Sequence, residues 1–145
     1  MTMKSFSKTL SANDIGKTGT HQAGILVPKS EQELLTFFPS LDAGVKNPDA
    51  WIHCTDEQGE QRKFRFVYYN NKLHDQDGTR NEYRLTYMAK YLKGMSAEEG
   101  DALEFSRANG AAGYSIRLVR KPAVAAEPEA GPTRIKITAG WRRVH

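Results

Sequence analysis

Two polar segments hold the residues whose types and spacing could do chemistry. The first, residues 11–24, reads SANDIGKTGTHQAG, and its Gly16-Lys17-Thr18 has the closing letters of a nucleotide-binding phosphate loop. Such a loop requires G-x-x-x-x-G-K-[ST] between a strand and a helix. Ser11 stands at the first glycine position, and the residues that should open a helix are glycine-rich and lead into ILVP. Since no helix N-terminus would lie beneath the phosphates, the sequence predicts no nucleotide cofactor.

The second segment, residues 70–84, reads NNKLHDQDGTRNEYR and carries side chains suited to base edges. Arg80 and Arg84 could each pair with guanine, Glu82 could accept from a cytosine amino group, and Asn81 could pair with adenine. Residues two apart in an extended chain point to the same side. We therefore predict that the two arginines and the glutamate share one side, while the residues between them face the barrel or the backbone.

The first segment supplies small polar groups, with glycines that let backbone N–H groups approach a phosphate. These side chains are Asn13, Asp14, Lys17, Thr18, Thr20, His21 and Gln22. A pair of solvated turns with local salt bridges has the same composition. Composition alone leaves both interpretations open.

The sequence does not match the residue patterns of known metal sites or catalytic sites well. Four histidines and one cysteine show no zinc spacing. Asp49 and Glu60 resemble the acids of a metal-dependent nuclease, but the lysine that should follow Glu60 is replaced by Arg62. No nucleophile–base pair stands out. The sequence therefore predicts no catalytic residue and no metal ligand, with a nuclease built on this acid pair as an alternative.

The elements that must position the two segments are short strands. Eight stretches fit strands: KSFSKTL, AGILVP, AWIHCT, KFRFVYY, EYRLTY, ALEFSR, YSIRLVRK and TRIKIT. Two fit helices: SEQELLTFF, with Ser30 and Glu33 as a capping box, and TYMAKYLKG. Strands this short and closely spaced favour an open barrel. We predict a mainly β fold of seven or eight strands and two short helices, with residues 121–133 as a flexible loop.

Composition limits the class of protein. A chain of 145 residues with 39% hydrophobic and 26% charged residues suits a single folded domain, residues 1–145. Its net charge of +4 is compatible with a polyanionic partner. Cys54 is the single cysteine, which favours a reducing compartment. No apolar run approaches the roughly 18 residues of a membrane span, and MTMKSFSKTL is no signal peptide. We expect a cytoplasmic protein.

Two gapped patterns make the chain resemble the N-terminal DNA-binding domain of the EcoRII restriction endonuclease family. They are S-A-N-D-x-G-x-T-G-x-H-Q-x-G and Y-Y-N…T-R-N-E-x-R, in the same order and with similar spacing. The detailed match is confined to these segments, while strand order agrees over most of the chain. The family has a pseudobarrel fold related to plant B-three DNA-binding domains, and EEGDALEF is similar to their Gly-Asp turn.

The resemblance implies two arms that grip the major groove of double-stranded DNA, with CC(A/T)GG as the family's target. The first arm would be residues 11–22 and the second arm residues 72–84. The predicted base-reading residues are His21, Arg80, Asn81, Glu82, Arg84, Asn13 and Gln22. The predicted backbone contacts are Ser11, Lys17, Thr18, Thr20, Lys29, Lys72, Thr79 and Tyr83. The chain departs from the family pattern at Leu26, Gly78 and Tyr83, where the family has a tyrosine and two lysines.

The resemblance also implies what the chain lacks. We expect a monomeric, prokaryotic recognition domain of a type II restriction endonuclease, with no catalytic activity, cofactor or membrane partner. A fused nuclease domain, absent here, would use magnesium. The alternatives are a free-standing DNA-binding regulator, the metal-dependent nuclease above, and a single-strand or RNA binder that stacks bases on Phe64, Phe66, Tyr68 and Tyr69.

Overall fold

The computed structural model describes residues 3–16, 24–121, 135–136 and 140–144. Within these ranges it has nine strands and three short helices. The strands are β1 (Met3–Thr9), β2 (Ile25–Val27), β3 (Asp49–Thr55), β4 (Gln61–Tyr69), β5 (Glu82–Thr86), β6 (Ala102–Ala108), β7 (Tyr114–Val119), β8 (Ile135–Lys136) and β9 (Trp141–Arg143). The helices are α1 (Gln32–Phe37), α2 (Asn71–His74) and α3 (Ala89–Gly94). The predicted mainly β fold is confirmed, with α2 and β9 as additions. Most of the predicted loop 121–133 lies outside the described residues.

All nine strands belong to one sheet in the order β2-β5-β4-β3-β7-β6-β1-β9-β8. The pairings are antiparallel except that of β3 with β7. The indole Nε1 of Trp141 in β9 donates to the carbonyl oxygen of Leu26 in the edge strand β2, at 2.8 Å. This bond joins the edge strand β2 to the strand next to the opposite edge, so the sheet curls into the predicted open barrel.

The barrel interior is aromatic. Alternation along β4 turns Phe64, Phe66 and Tyr68 inward, where all three are buried. The helix α1 covers one end, and the ring of Phe38 beside it lies 5.1 Å from that of Phe66. Because these three rings lie inside the protein, they offer no exposed platform for single-stranded bases. The alternative of a single-strand or RNA binder is therefore wrong for Phe64, Phe66 and Tyr68.

The capping box predicted at Ser30 is wrong. The N-cap residue of α1 is Glu31, with no side-chain capping bond. The carboxylate of Glu33 instead forms ion pairs with Lys4 at 3.8 Å and Arg143 at 3.3 Å. Tertiary ion pairs therefore take the carboxylate that the local motif would have used.

The β3–β4 hairpin separates the proposed nuclease acids. Asp49 pairs with Val67 at one end of the ladder, whereas Glu60 lies in the turn just beyond the pair Thr55–Gln61. At about 3.3 Å per residue, the two acids are roughly 20 Å apart. They cannot share a metal ion, and this acid cluster is excluded as a nuclease centre.

Candidate nucleic-acid interface

The second arm is a closed loop. The backbone N–H of Arg80 donates to Oδ1 of Asn71 at 2.8 Å, and its carbonyl accepts from the N–H of Lys72 at 3.0 Å. Gly78 packs against the start of α2 so tightly that an added Cβ would lie 2.1 Å from the Asn71 carbonyl oxygen. The loop therefore holds its shape through its own backbone, with Lys72 and Thr79 exposed.

Arg80, Glu82 and Arg84 form a charged row on the outer face of the barrel. Oε2 of Glu82 accepts from Nη2 of Arg80 at 3.0 Å and from Nε of Arg84 at 2.7 Å. The side chains are 37%, 29% and 19% exposed in chain order, so the row is only partly screened by water. The predicted arrangement of these three residues on one side is confirmed.

The neighbouring arginines stabilise the negative charge of Glu82. Burial by itself would raise the pKa of this carboxyl group, but the hydrogen bonds and charges of Arg80 and Arg84 outweigh it and lower the pKa below its ordinary value. Among the described residues, none bonds to Oε1 of Glu82. The row thus presents a carboxylate oxygen that can accept, flanked by guanidinium groups that can donate.

Arg84 also contacts the start of the segment that leads into β2. Its Nη1 donates to the carbonyl oxygen of Gly24 at 2.9 Å, just before β2. Gly24 has a φ of +98°, and an added Cβ would lie 2.5 Å from the carbonyl oxygen of Leu85. Only glycine fits this approach. One guanidinium therefore contacts both Glu82 in the second arm and Gly24, two residues beyond the first arm.

Asn81 and Tyr83 lie on the opposite face of the second arm. Oδ1 of Asn81 accepts a hydrogen bond from the Tyr68 hydroxyl. The ring of Tyr83 stacks on that of Tyr68, with centroids 4.2 Å apart and planes 7° from parallel. Both residues face the barrel, as the alternation predicts, and the structure does not bring them together with the charged row.

The first arm is described only from Ser11 to Gly16. Lys17, Thr18, Thr20, His21 and Gln22, all predicted DNA contacts, lie outside the described residues.

A buried ion pair fixes the start of this arm. Lys8 Nζ lies 2.7 Å from Oδ2 of Asp14, and both side chains are less than a tenth exposed. The backbone N–H of Ser11 donates to the same Oδ2 at 3.0 Å, and the N–H of Asp14 donates to Oγ of Ser11 at 3.1 Å. Asp14 is therefore a structural anchor. Asn13 and Lys29 are exposed.

Apart from the alternative in which Tyr68 and Tyr69 stack bases, sequence reasoning assigned no role to the Y-Y-N block, residues 68–70. Tyr69 lies beneath the guanidinium of Arg80, whose Cζ is 3.8 Å from the ring centroid. Asn70 is fully buried and receives the N–H of Asn47 at 2.7 Å on Oδ1. The sequence feature that could have identified the block is its position immediately before the second arm.

The described residues contain no group of three or more His, Cys, Asp or Glu side chains placed to hold a metal ion. Across the same residues, every helix is too short or too polar to cross a membrane.

The chain is similar to known proteins in both sequence and fold. The family model described as Restriction endonuclease EcoRII, N-terminal, matches residues 1–109. The type II restriction enzyme EcoRII of Escherichia coli is 37% identical over 84 residues, which are 56% of this chain and 20% of that enzyme. The B3 domain-containing transcription factor NGA1 of Arabidopsis thaliana is 27% identical over 128 residues, 85% of this chain and 36% of that protein. The chain spans less than half the length of these curated relatives.

Among solved structures, the chain is similar to the Arabidopsis FUS3–DNA complex, with a TM-score of 0.58 and 19% identity. The match covers 81% of this chain and 96% of the other. The shared property is the fold, that of a B3 domain.

Proposed function

This chain belongs to the EcoRII N-terminal domain family, and on that premise we propose that it binds double-stranded DNA sequence-specifically, as the recognition part of a type II restriction enzyme. The observation that carries the proposal is the charged row, in which Glu82 holds Arg80 and Arg84 side by side at a half-exposed surface. Such an alternation of donors and an acceptor matches base edges in a major groove.

The target we propose is a CC(A/T)GG-type site. Arg80 and Arg84 would each present N–H groups to the O6 and N7 of a guanine, and Oε1 of Glu82 would accept from a cytosine amino group. Each good base contact of this kind discriminates by about 1–3 kcal/mol. Neighbouring C·G pairs present guanine acceptors beside a cytosine amino donor. These are the groups that the two arginines and Glu82 would contact.

The two arms would supply the remaining contacts. Lys72 and Thr79 on the second arm are exposed and suited to phosphate oxygens. The first arm would contribute His21 to base recognition and Lys17 to the backbone. Asn81 and Tyr83, which face the barrel, would act by holding the arm in shape.

Catalysis is proposed to lie elsewhere. In the longer enzyme a separate nuclease domain would cleave DNA and use magnesium, while this domain requires no cofactor. We propose that the isolated domain is a monomer and acts in the bacterial cytoplasm.

Selection of bound sequences from random duplexes, followed by affinity measurements at fixed salt, tests the proposal. Arg80→Ala is expected to lower affinity for the selected site by about one to two decades and to relax preference at one base pair, with little change in non-specific binding. Glu82→Gln is expected to relax the cytosine preference, because an amide can donate as well as accept.

Arg117 provides a matched control. It lies on β7 and forms an ion pair with Glu104 on β6, and β7 stands three positions from β5 in the sheet. Arg117→Ala should leave affinity and site ranking unchanged. If Arg80→Ala weakened binding to all duplexes equally and left the ranking of sites intact, the charged row would be a source of non-specific charge and the proposal of base recognition would be refuted.

A further inference from the structure

The Y-Y-N block at the end of β4 holds the second arm at two neighbouring residues. The Tyr68 hydroxyl donates to Oδ1 of Asn81 on the inner face. The ring of Tyr69 supports the guanidinium of Arg80 on the outer face. The third residue, Asn70, donates from Nδ2 to the carbonyl oxygen of Val45 at 2.9 Å and so fixes the strand end itself.

Neighbouring residues hold both the backbone and the guanidinium of Arg80 in place. Its backbone is fixed on both sides by Asn71 and Lys72. One edge of its guanidinium donates to Glu82 at 3.0 Å, and one face lies on Tyr69 at 3.8 Å. Among the described residues no acceptor takes its Nε or Nη1 hydrogens. The side chain is therefore oriented, yet most of its donors remain available.

We propose that Tyr69 is a positioning residue for base recognition, which sets the plane of the Arg80 guanidinium before DNA arrives. The proposal rests on the function proposed above. Arginine loses more rotamer freedom than most side chains when it is ordered. A stack on an aromatic face supplies that order in the free protein and leaves the guanidinium edge, which reads guanine, unobstructed.

The position of Tyr69 separates this role from a purely structural one. Tyr68 is buried in the barrel, whereas Tyr69 is only partly buried and points to the outer face. It stands opposite Glu82 in the β4–β5 ladder, so ring and carboxylate meet the guanidinium from adjacent strands. Removing the ring leaves the barrel core intact and frees Arg80 on one side.

Two variants of Tyr69 test the proposal against a control. Tyr69→Leu is expected to lower affinity for the selected duplex about twofold to thirtyfold, the range for a cation–π contact, and to leave non-specific affinity unchanged. Tyr69→Phe keeps the ring and should stay within about twofold of the unmodified protein. Tyr87→Leu removes an exposed tyrosine outside residues 72–84, whose ring meets that of Trp51 edge-on, and should have no effect.

A second measurement needs no DNA. In the free protein, the ring current of Tyr69 should shift the NMR signals of the Arg80 δ protons upfield. The shift should persist in Tyr69→Phe and vanish in Tyr69→Leu. In an Arg80→Ala background, Tyr69→Leu should cost nothing further in duplex affinity.

The outcomes are distinguishable. If the unmodified protein ranks duplexes but Tyr69→Leu binds the selected one as tightly, or loses the same affinity in the Arg80→Ala background, the positioning role is overturned and DNA recognition stands. If the unmodified protein prefers no duplex sequence, the proposed function fails, and the role of Tyr69 in recognition fails with it.

Discussion

Two lysines of β1 form ion pairs in very different surroundings, and their replacement should have very different costs. Lys8 and Asp14 lie 2.7 Å apart with side chains 7% and 8% exposed. Lys4 and Glu33 lie 3.8 Å apart with side chains 44% and 41% exposed. Lys8→Met would remove the positive charge of Lys8 from beside the buried carboxylate of Asp14. Removing one partner of a buried pair costs about 3–5 kcal/mol, whereas an exposed pair contributes at most about 1 kcal/mol.

Thermal unfolding measures this difference. In a domain near this size each kcal/mol shifts the melting temperature by about 2–4 °C, so Lys8→Met is expected to melt roughly 6–20 °C below the unmodified protein. Lys4→Met should lie within about 4 °C of it. Adding Asp14→Asn to Lys8→Met should recover part of the loss, because a neutral amide oxygen can still accept from the backbone N–H of Ser11.

The reasoning is refuted if Lys8→Met and Lys4→Met melt at the same temperature, or if the double variant is less stable than Lys8→Met alone. Either result would mean that the cost of Lys8→Met does not come from loss of the charge beside the buried carboxylate of Asp14. The same variants report on the first arm, because this ion pair fixes the turn from which the arm begins.

Two further predictions concern Gly78 and Cys54. Gly78→Ala places a Cβ 2.1 Å from the Asn71 carbonyl oxygen, so the second arm should open, with faster amide exchange at Lys72, a cost of about 1–3 kcal/mol in stability and weaker binding of the specific duplex. Gly94→Ala, where an added Cβ meets nothing within 4 Å, is the control and should leave binding unchanged. Burial raises the pKa of the Cys54 thiol to about 12, so a thiol reagent at pH 8 should label it only as fast as the protein unfolds. Rapid labelling of native protein would contradict this.

Most of what the sequence could predict follows from the alternation of side chains between the two faces of a strand. The inward set on β4 and the shared side of Arg80, Glu82 and Arg84 both follow from a period of two, which the backbone imposes locally. The turn of the β3–β4 hairpin is equally local, because Gly59 has a φ of +82°, a region that favours glycine. Features of this kind need no knowledge of the rest of the chain.

Contacts between distant segments could not be predicted. The bond from Arg84 to Gly24 joins residues 60 positions apart, and that from Trp141 to Leu26 joins residues 115 apart. Asp14 was assigned to a polar arm because its type suits a surface. The structure buries it, because Lys8 on β1 supplies both a charge and a hydrogen-bond donor. A residue's type does not specify its partner.

We expect the charged row to contribute more to sequence selectivity than to DNA affinity. Arg80 and Arg84 bring two positive charges and Glu82 one negative charge, so the row carries a net charge of only +1. Attraction to phosphates grows with the number of lysine and arginine contacts, and a row that includes a carboxylate is a poor source of it. The carboxylate instead holds both guanidiniums, and in the proposed complex it would reject bases that lack a donor. Sequence preference would then come from the row, and most of the affinity from cations on the arms, such as Lys72. Loss of Glu82 should therefore raise non-specific binding while it lowers discrimination.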